Sequence, residues 1–309
     1  MFERQKIMFY YKLYEMKLKT DFEFPQLIAC DDDKEPDIVI MQGEIPQEII
    51  EEKDRKYEFG EKRSWLSNLT CYFVVENGNK ITYSLKEGGK LMPLRNYLLG
   101  FGMSMVAMQR GILSIHCSAL ADDKGAILIA GESGAGKSTV TKAFLDKGYH
   151  LMADDMSWVE TKADGKSYAK PAFPYQKLCR NVVVEQGLDF NELIYINESK
   201  DKFLVPYKGE FSEKAVPIKG FIMLCVTNKD KVLSEEIKGF NKMKICANNL
   251  FLRHLLGPDK YAPQLGQKCL KMASTMPIYC IGRPDGMDTA QEVIEKAFEI
   301  VSQMDEYIC

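Results

Sequence analysis

Long apolar runs are missing from this sequence of 309 residues. None reaches the roughly 18 uninterrupted apolar residues that a membrane-spanning helix needs, and the best candidate, residues 97–107, is soon followed by Gln109 and Arg110. The first residues carry charges instead of the apolar stretch of a secretory signal. We therefore expect neither a membrane partner nor a secretion signal.

An excess of charge of one sign is missing as well. Lysine and arginine together number 41, aspartate and glutamate 44, and the formal net charge is −3. Such a balance provides no strong positive field, so we expect no nucleic-acid partner. Hydrophobic residues make up 46% and charged residues 28%, which is typical of a globular protein with a substantial core.

Paired cysteine motifs are also absent. The nine cysteines are scattered along the chain, and none forms the CxxC pair of a zinc or redox site. Cysteines inside apolar runs behave as small hydrophobic residues. The pattern predicts a reducing, cytoplasmic location without a structural metal. The nine are Cys30, Cys71, Cys117, Cys179, Cys225, Cys246, Cys269, Cys280 and Cys309.

Residues 1–92 predict a small, mostly β module. The runs at 37–41, 70–76 and 81–85 are rich in β-branched and aromatic residues, and the turn signal NGN separates the last two. We expect mostly antiparallel pairing of these strands. Docking of a substrate or partner is our hypothesis for the role of this module.

Residues 93–309 predict an α/β or mixed α+β domain. A helical pattern covers 93–110, a strand-like run follows at 125–130, and a final helix spans about 289–304. A glycine-rich loop lies between the strand at 125–130 and the helix behind it. Such a strand–loop–helix unit is typical of a nucleotide-binding core.

That loop fits the phosphate-binding pattern GxxxxGK[ST] without exception. Glycines let the backbone turn tightly so that successive N–H groups face phosphate oxygens, and the following helix adds the positive end of its dipole. Lys137 would reach the β- and γ-phosphates, and Ser138 would offer its hydroxyl to Mg²⁺. The predicted nucleotide-binding residues are Gly131, Glu132, Ser133, Gly134, Ala135, Gly136, Lys137, Ser138 and Thr139.

Two adjacent carboxylates, Asp154 and Asp155, follow the apolar run HLMA. After a phosphate-binding loop, one such carboxylate can hold Mg²⁺, and the other can take the proton of an attacking hydroxyl. A surface turn is the alternative explanation for two aspartates, but the loop upstream favours a catalytic pair. From the residues alone, either aspartate fits either role. The candidate metal ligands are Ser138, Asp154 and Asp155.

One histidine and three cations complete the set of candidates. His116 ends a strand-like run, where a histidine is more often structural than functional. The cations could contact phosphate or substrate, although single cations more often lie on the surface or cap a helix. They are Lys177, Arg253 and Arg283.

The segment GAILIAGESGAGKSTVTKAFLDKGYHLMADDMSWVE resembles the core of the HPr kinase/phosphorylase family. That family carries a G-[DE]-S-G-x-G-K-S loop, an R/K-G-H/Y segment and then A-D-D, which match residues 131–138, 147–149 and 153–155 here. Residues 115–120 resemble its histidine-containing strand. The strong match covers about a sixth of the chain, and weaker likeness to HPr-kinase-like proteins of peptide-modification clusters extends from Pro93 to the C-terminus.

The resemblance implies a P-loop core with a mixed sheet, shared with ATP-type phosphoenolpyruvate carboxykinases, and it favours ATP over GTP. It implies that Asp154 is the general base for a serine hydroxyl and that Asp155 and Ser138 hold Mg²⁺. It also implies that His116 hydrogen-bonds near the catalytic carboxylate. The nearest counterparts of the family's further cations are Lys177, Arg253 and Arg283. HPr kinases assemble as hexamers, and an oligomer is left open here.

The sequence also departs from that family, because the C-terminal signature loop for phosphorolysis and HPr docking is not found. We therefore expect an ATP-dependent kinase acting on a serine of another protein or of a ribosomally made peptide. Two alternatives stay open: a small-molecule kinase or carboxykinase-type phosphotransferase, and a non-catalytic nucleotide-binding regulator. A long open groove would favour a peptide acceptor, whereas a closed pocket would favour a metabolite.

Overall fold

The computed structural model describes residues 7–132, 134–196, 201–256 and 263–306, and Ser133 of the predicted loop lies outside them. The architecture is mixed α+β. The strands are β1 (Phe9–Leu13), β2 (Met16–Thr20), β3 (Ile28–Ala29), β4 (Ile38–Gln42), β5 (Tyr57–Glu58), β6 (Arg63–Ser67), β7 (Cys71–Glu76), β8 (Lys80–Leu85), β9 (Leu113–Ile115), β10 (Ser118–Asp122), β11 (Gly125–Gly131), β12 (His150–Ala153), β13 (Ser157–Thr161), β14 (Ser167–Lys170), β15 (Tyr175–Cys179), β16 (Ile194–Ile196), β17 (Lys202–Pro206), β18 (Val216–Thr227), β19 (Leu233–Glu236) and β20 (Ile278–Pro284).

Helices cover the sheets and connect their strands. The α-helices are α1 (Gln47–Ile50), α2 (Leu91–Tyr97), α3 (Met103–Gln109), α4 (Lys137–Asp146), α5 (Arg180–Glu185), α6 (Phe240–Asn248), α7 (Arg253–Leu256), α8 (Pro263–Ser274) and α9 (Ala290–Glu306). A π-helical turn, Leu98–Gly102, joins α2 to α3, and a 3₁₀ turn covers Phe190–Glu192. In the described part of the chain, no helix is long and apolar enough to cross a membrane.

The first sheet has the strand order β3-β1-β2-β4-β8-β7-β6-β5. β4 pairs in parallel with both β2 and β8, and the remaining pairs are antiparallel. The sheet is therefore mostly antiparallel, as predicted. The sequence patterns identified β4, β7 and β8 but not β1 and β2.

The second sheet is mixed and contains the strand that leads into the glycine-rich loop. Its order is β12-β10-β11-β18-β14-β13-β9, with β20 beside β18 and β19 beside β20. β18 is parallel to β11 and β20 and antiparallel to β14. A third, antiparallel sheet of order β15-β17-β16 was not predicted from the sequence.

β11 is buried on both faces, which explains why its sequence GAILIAG is apolar throughout. Successive side chains of a strand point to opposite faces. Ile127 and Ile129 join a core beneath α4 and α9, and Leu128 and Ala130 join the larger core on the other face. The loop at the end of β11 is therefore anchored by packing on both sides.

The larger core contains side chains from both the first and the second sheet. The hairpin turn between β1 and β2 enters it through Tyr14, whose ring stacks on Trp158 with centroids 4.3 Å apart and planes 5° apart. The Tyr14 hydroxyl donates to the Met156 carbonyl at 3.3 Å, and its N–H donates to the Pro171 carbonyl at 2.9 Å. The predicted boundary between residues 92 and 93 falls inside α2 and stays a prediction.

Tyr14→Ala should lower the free energy of unfolding by about 3–5 kcal/mol, because it removes a fully buried ring and leaves a cavity against Trp158. Urea denaturation followed by tryptophan fluorescence and circular dichroism measures the loss. Phe240→Ala is the matched control, since that ring is 62% exposed, and its effect should stay within about 0.5 kcal/mol. Equal losses for the two variants would contradict a buried stack that joins the sheets.

Candidate active site

The glycine-rich loop begins where β11 ends and finishes at the first turn of α4. Gly134 and Gly136 have φ angles of 85° and 99°, a region that side chains with a Cβ rarely adopt. A Cβ at either position would meet no atom within 4 Å, so the glycines are needed for backbone conformation and not for space. Ala135 is buried, whereas Glu132 and Thr139 are exposed.

Lys137, the first residue of α4, points its ammonium at the end of β12. Its Nζ lies 3.2 Å from Asp154 Oδ1 and 3.2 Å from Ser118 Oγ. The Ser118 hydroxyl donates to the same Asp154 oxygen at 2.7 Å. No sequence pattern indicated a role for Ser118, which is fully buried at the start of β10.

Asp154 is held at both carboxylate oxygens. Its second oxygen, Oδ2, accepts the backbone N–H of Lys177 in β15 at 2.8 Å. Burial would raise the pKa of Asp154, but the Lys137 ammonium and the Ser118 hydroxyl outweigh burial and hold the pKa below its usual value. The Asp154 side chain, only 6% exposed, is therefore an ionised carboxylate in a fixed orientation.

Asp155 is compensated by a different lysine. Its Oδ2 lies 3.0 Å from Lys177 Nζ. The Asp155 side chain is 15% exposed and the Lys177 side chain 16%. Burial would raise the pKa of Asp155, but Lys177 and the neighbouring His116 and Lys137 lower it. The backbone φ of Asp155 is 73°, a left-handed conformation that costs free energy in a non-glycine residue and often marks functional sites.

His116 lies beside Asp155 and not beside Asp154. Its Nε2 is 3.6 Å from Asp155 Oδ1, which is longer than a hydrogen bond. Burial, together with Lys137, lowers the pKa of His116 despite the nearby carboxylate, so the ring is neutral at neutral pH. The ring centroid is 5.8 Å from that of Phe251, in the segment that pairs with β9. A role for His116 stays a prediction.

The two arginine candidates lie in different surroundings. Arg283, near the end of β20, donates to the Gly134 carbonyl at 2.8 Å and to the Met287 carbonyl at 2.7 Å, so it supports the loop from outside. Arg253 begins α7, two residues after Phe251. Their roles toward phosphate stay predictions.

Two cavities flank the cluster of charges. The cavity beside Asp154 and Asp155 has a volume of about 20 Å³. The cavity beside the loop has a volume of about 190 Å³ and is lined by Gly134–Gly136, Val140 and Thr289, among others. Thr289 is buried just before α9, and its Oγ1 has no hydrogen-bond partner among the described residues.

The metal prediction has no preassembled cluster to support it. Within the described ranges, no group of three or more His, Cys, Asp or Glu side chains lies close enough to hold an ion. Ser138 follows Lys137 in the first turn of α4, and Asp154 and Asp155 are already paired with lysines. Any bound Mg²⁺ therefore needs oxygens from its phosphate ligand as well.

The tertiary structure brings together His116, Lys137, the adjacent Asp154 and Asp155, and Lys177, which come from four separate segments of the sequence. It adds residues that sequence reasoning missed. Ser118 follows the predicted histidine by two positions, which is the only sequence signal that could have indicated it. Thr289 precedes a helix and has no signal of its own.

Comparison with known proteins adds little to this geometry. No protein-family model matches the chain. No curated protein matches its sequence. Among solved structures, the HPr(Ser) kinase/phosphatase from Coxiella burnetii aligns with 62% of this chain and 98% of its own, at 14% identity and a TM-score of 0.29. Such a score marks only a distant likeness and carries no conclusion about function.

Lys177→Met should destabilise the protein by about 2 kcal/mol at pH 7, because it leaves the Asp155 carboxylate uncompensated and largely buried. Asp155 has a lowered pKa in the folded state, so the contribution of the pair is fully present above the ordinary aspartate pKa of about 4, and the loss should shrink as the pH falls from there towards the lowered pKa of the folded protein. Urea denaturation at several pH values measures the loss.

A double-mutant cycle provides the control for this ion pair. Asp155→Asn in the Lys177→Met background should recover part of the lost stability, because the uncompensated charge is then removed. Strictly additive losses in the double variant would contradict a direct interaction between the two side chains.

Proposed function

We propose that this protein is an ATP-dependent kinase that transfers the γ-phosphoryl group of ATP to a hydroxyl, with a serine of a protein or peptide as acceptor. The observation that carries the proposal is the 3.2 Å contact between Lys137 of the glycine-rich loop and Asp154. A cation that can bind phosphate and a carboxylate that can bind an acceptor hydroxyl thus lie side by side.

The loop would bind the phosphates of ATP. Its backbone N–H groups and the first turn of α4 provide donors and the positive end of a helix dipole. Lys137 would move its ammonium from Asp154 to the β- and γ-phosphates, because the phosphates carry more negative charge than one carboxylate. Arg283 would keep the loop in place through the Gly134 carbonyl.

Mg²⁺ fits the oxygen donors at this site, since it prefers carboxylate, hydroxyl and phosphate oxygens. Asp155 and Ser138 would hold the ion, with the phosphates completing its coordination. When bound, Mg²⁺ neutralises phosphate charge. The ionised state of Asp155, maintained by Lys177, suits this role.

Asp154 would act as the general base. Its Oδ1 becomes available to the acceptor hydroxyl once Lys137 turns to the phosphates, while Ser118 and the Lys177 N–H keep the carboxylate oriented. The acceptor oxygen forms a bond to the γ-phosphorus, the bond from that phosphorus to the β–γ bridging oxygen breaks, and the hydroxyl proton passes to Asp154. The products are a phosphoserine and ADP.

Asp154→Asn should lower the rate of phosphoryl transfer about 10²–10⁴-fold while leaving ADP binding largely intact, because only the base is lost. Transfer is measured with γ-labelled ATP, Mg²⁺ and lysate or peptides of the native host. Asp146→Asn is the control, since that carboxylate is 62% exposed at the end of α4. A labelled serine product with wild type and with the control, but not with Asp154→Asn, is the expected result.

Two other results would contradict parts of this proposal. If Lys137→Ala abolishes ATP binding but wild type labels no protein or peptide, the peptide-kinase claim fails, and small-molecule acceptors are tested next. Equal labelling by wild type and Asp154→Asn would exclude Asp154 as the base.

The cavity beside the loop would hold the nucleoside of ATP. It adjoins Gly134 and Gly136, it is lined by apolar side chains such as Val140 and Val293, and the Thr289 hydroxyl has no partner among the described residues. Apolar walls with a few polar groups are typical of small-ligand sites. The hydroxyl of Thr289 would bind a polar atom of the base or ribose.

Thr289→Val should weaken ADP binding about 5–10-fold, as expected for one hydrogen bond, and should leave binding of inorganic tripolyphosphate unchanged. Isothermal titration calorimetry measures both affinities. Thr141→Val is a matched control, because the Thr141 hydroxyl is also buried without a partner among the described residues but belongs to the buried face of α4. A parallel loss of tripolyphosphate binding would contradict a nucleoside contact.

A further inference from the structure

The third sheet presents one of its faces to the two carboxylates. Lys177 of β15 and Leu204 of β17 lie directly opposite each other in the antiparallel pairing, and both line the cavity beside Asp154 and Asp155. Directly opposite residues of paired strands point to the same face of a sheet. The face that carries Lys177 and Leu204 is therefore the one that faces the proposed active site.

Lys202, at the start of β17, lies on that same face. It precedes Leu204 by two positions, and side chains two positions apart along a strand share a face. Its direct partner in β15 is Cys179, two positions after Lys177, so Lys202 and Lys177 are diagonal neighbours. Diagonal neighbours in a sheet are about 7–8 Å apart, within reach of long side chains. Lys202 therefore lies close enough to Lys177 for both ammonium groups to reach the site.

The charge of Lys202 acts on this site. Burial has the largest effect on the pKa of His116 and of Asp155, and Lys202 is among the cations that lower both pKa values. A charge changes the pKa of another group in this way only when the two lie near each other. The ammonium of Lys202 therefore lies near His116 and Asp155, in agreement with its position on the sheet.

Lys202 differs from the other two lysines of the site because no carboxylate occupies it. Lys137 is 3.2 Å from Asp154, and Lys177 is 3.0 Å from Asp155. Within the part of the chain that the structure describes, the Lys202 ammonium forms no hydrogen bond and no ion pair. Two lysines thus balance the two carboxylates, and Lys202 is the cation in excess.

The carboxylate nearest to Lys202 in the sequence has another partner. Asp201 is bound by the Arg180 guanidinium, with N–O distances of 2.5 and 3.2 Å. Because His116 is neutral, Lys202 leaves the site with one net positive charge before any ligand binds. Lys202 is also half-buried, and a cation that is partly removed from water without a partner favours binding of an anion.

We infer that Lys202 binds the γ-phosphate of ATP from the third sheet, while Lys137 binds it from the glycine-rich loop. The inference rests on the proposed kinase function, but it concerns nucleotide binding and needs no turnover to be tested. Lysine suits this role because its ammonium is a compact charge with three donors. During transfer the charge of the phosphoryl group is spread over its equatorial oxygens, and Lys202 would stabilise that charge.

ADP lacks the phosphate that Lys202 would bind, so ADP and β,γ-imido-ATP are matched probes. Lys202→Met should weaken binding of β,γ-imido-ATP about 10–100-fold, as expected for a lost hydrogen bond between charged groups, and should change ADP affinity less than about twofold. Lys202→Arg keeps the charge and should retain most of the affinity for β,γ-imido-ATP. Isothermal titration calorimetry on the full chain with Mg²⁺ measures these affinities.

Lys208→Met is the matched control in the same sheet. Lys208 follows β17, its side chain is 85% exposed, and its replacement should change neither affinity. The melting temperature of Lys202→Met should stay within about 2 °C of wild type, because no carboxylate loses a partner. A lysine with a purely structural role would instead lower the melting temperature and weaken both nucleotides alike.

The outcomes separate this inference from the kinase proposal. Equal changes in the affinities for ADP and β,γ-imido-ATP, or no change in either, overturn the contact with the γ-phosphate even if labelled ATP still phosphorylates a host protein. Unchanged nucleotide affinities with slower transfer by Lys202→Met would place the lysine on the acceptor and overturn the inference as well. A loss confined to β,γ-imido-ATP, in a protein that transfers no phosphate, would support Lys202 and overturn the kinase proposal alone.

Discussion

Two adjacent carboxylates buried at the end of β12 impose the constraint on which the rest of the site depends. Neighbouring charges of equal sign cannot both stay ionised away from water unless cations compensate them. Lys137 supplies one cation from the glycine-rich loop, and Lys177 supplies the other from β15. The ion pairs thereby join the second sheet, the first turn of α4 and the small third sheet. Phosphate binding would compete for the first of these cations and would thereby couple nucleotide binding to release of the Asp154 oxygen.

The N-terminal sheet is joined to this site by packing. The Tyr14–Trp158 stack holds the β1–β2 turn against the second sheet, and the same turn lines the cavity beside the carboxylates. Tyr14 has a φ of 54°, a conformation that a bulky residue adopts only when surrounding contacts hold it there. The stability of the fold and the shape of this cavity therefore depend on one contact region between the sheets.

Some features that cost stability lie around the proposed active site. Asp155 has a left-handed backbone conformation, and the Thr289 hydroxyl is buried without a partner among the described residues. Each of these features belongs to a group expected to contact a ligand. Proteins often trade stability for function in this way.

Features built from residues that are contiguous in the sequence could be predicted from the sequence alone. The strand, loop and helix around Lys137 are contiguous, so residue spacing specified their geometry, and the apolar run before Asp154 indicated a strand end. The third sheet was missed because its strands are short and mix polar with apolar residues. The partners of the carboxylates, Ser118 and Lys177, and the walls of the cavity beside them depend on contacts between distant segments. Those contacts come from sheet order and core packing, which no local pattern encodes.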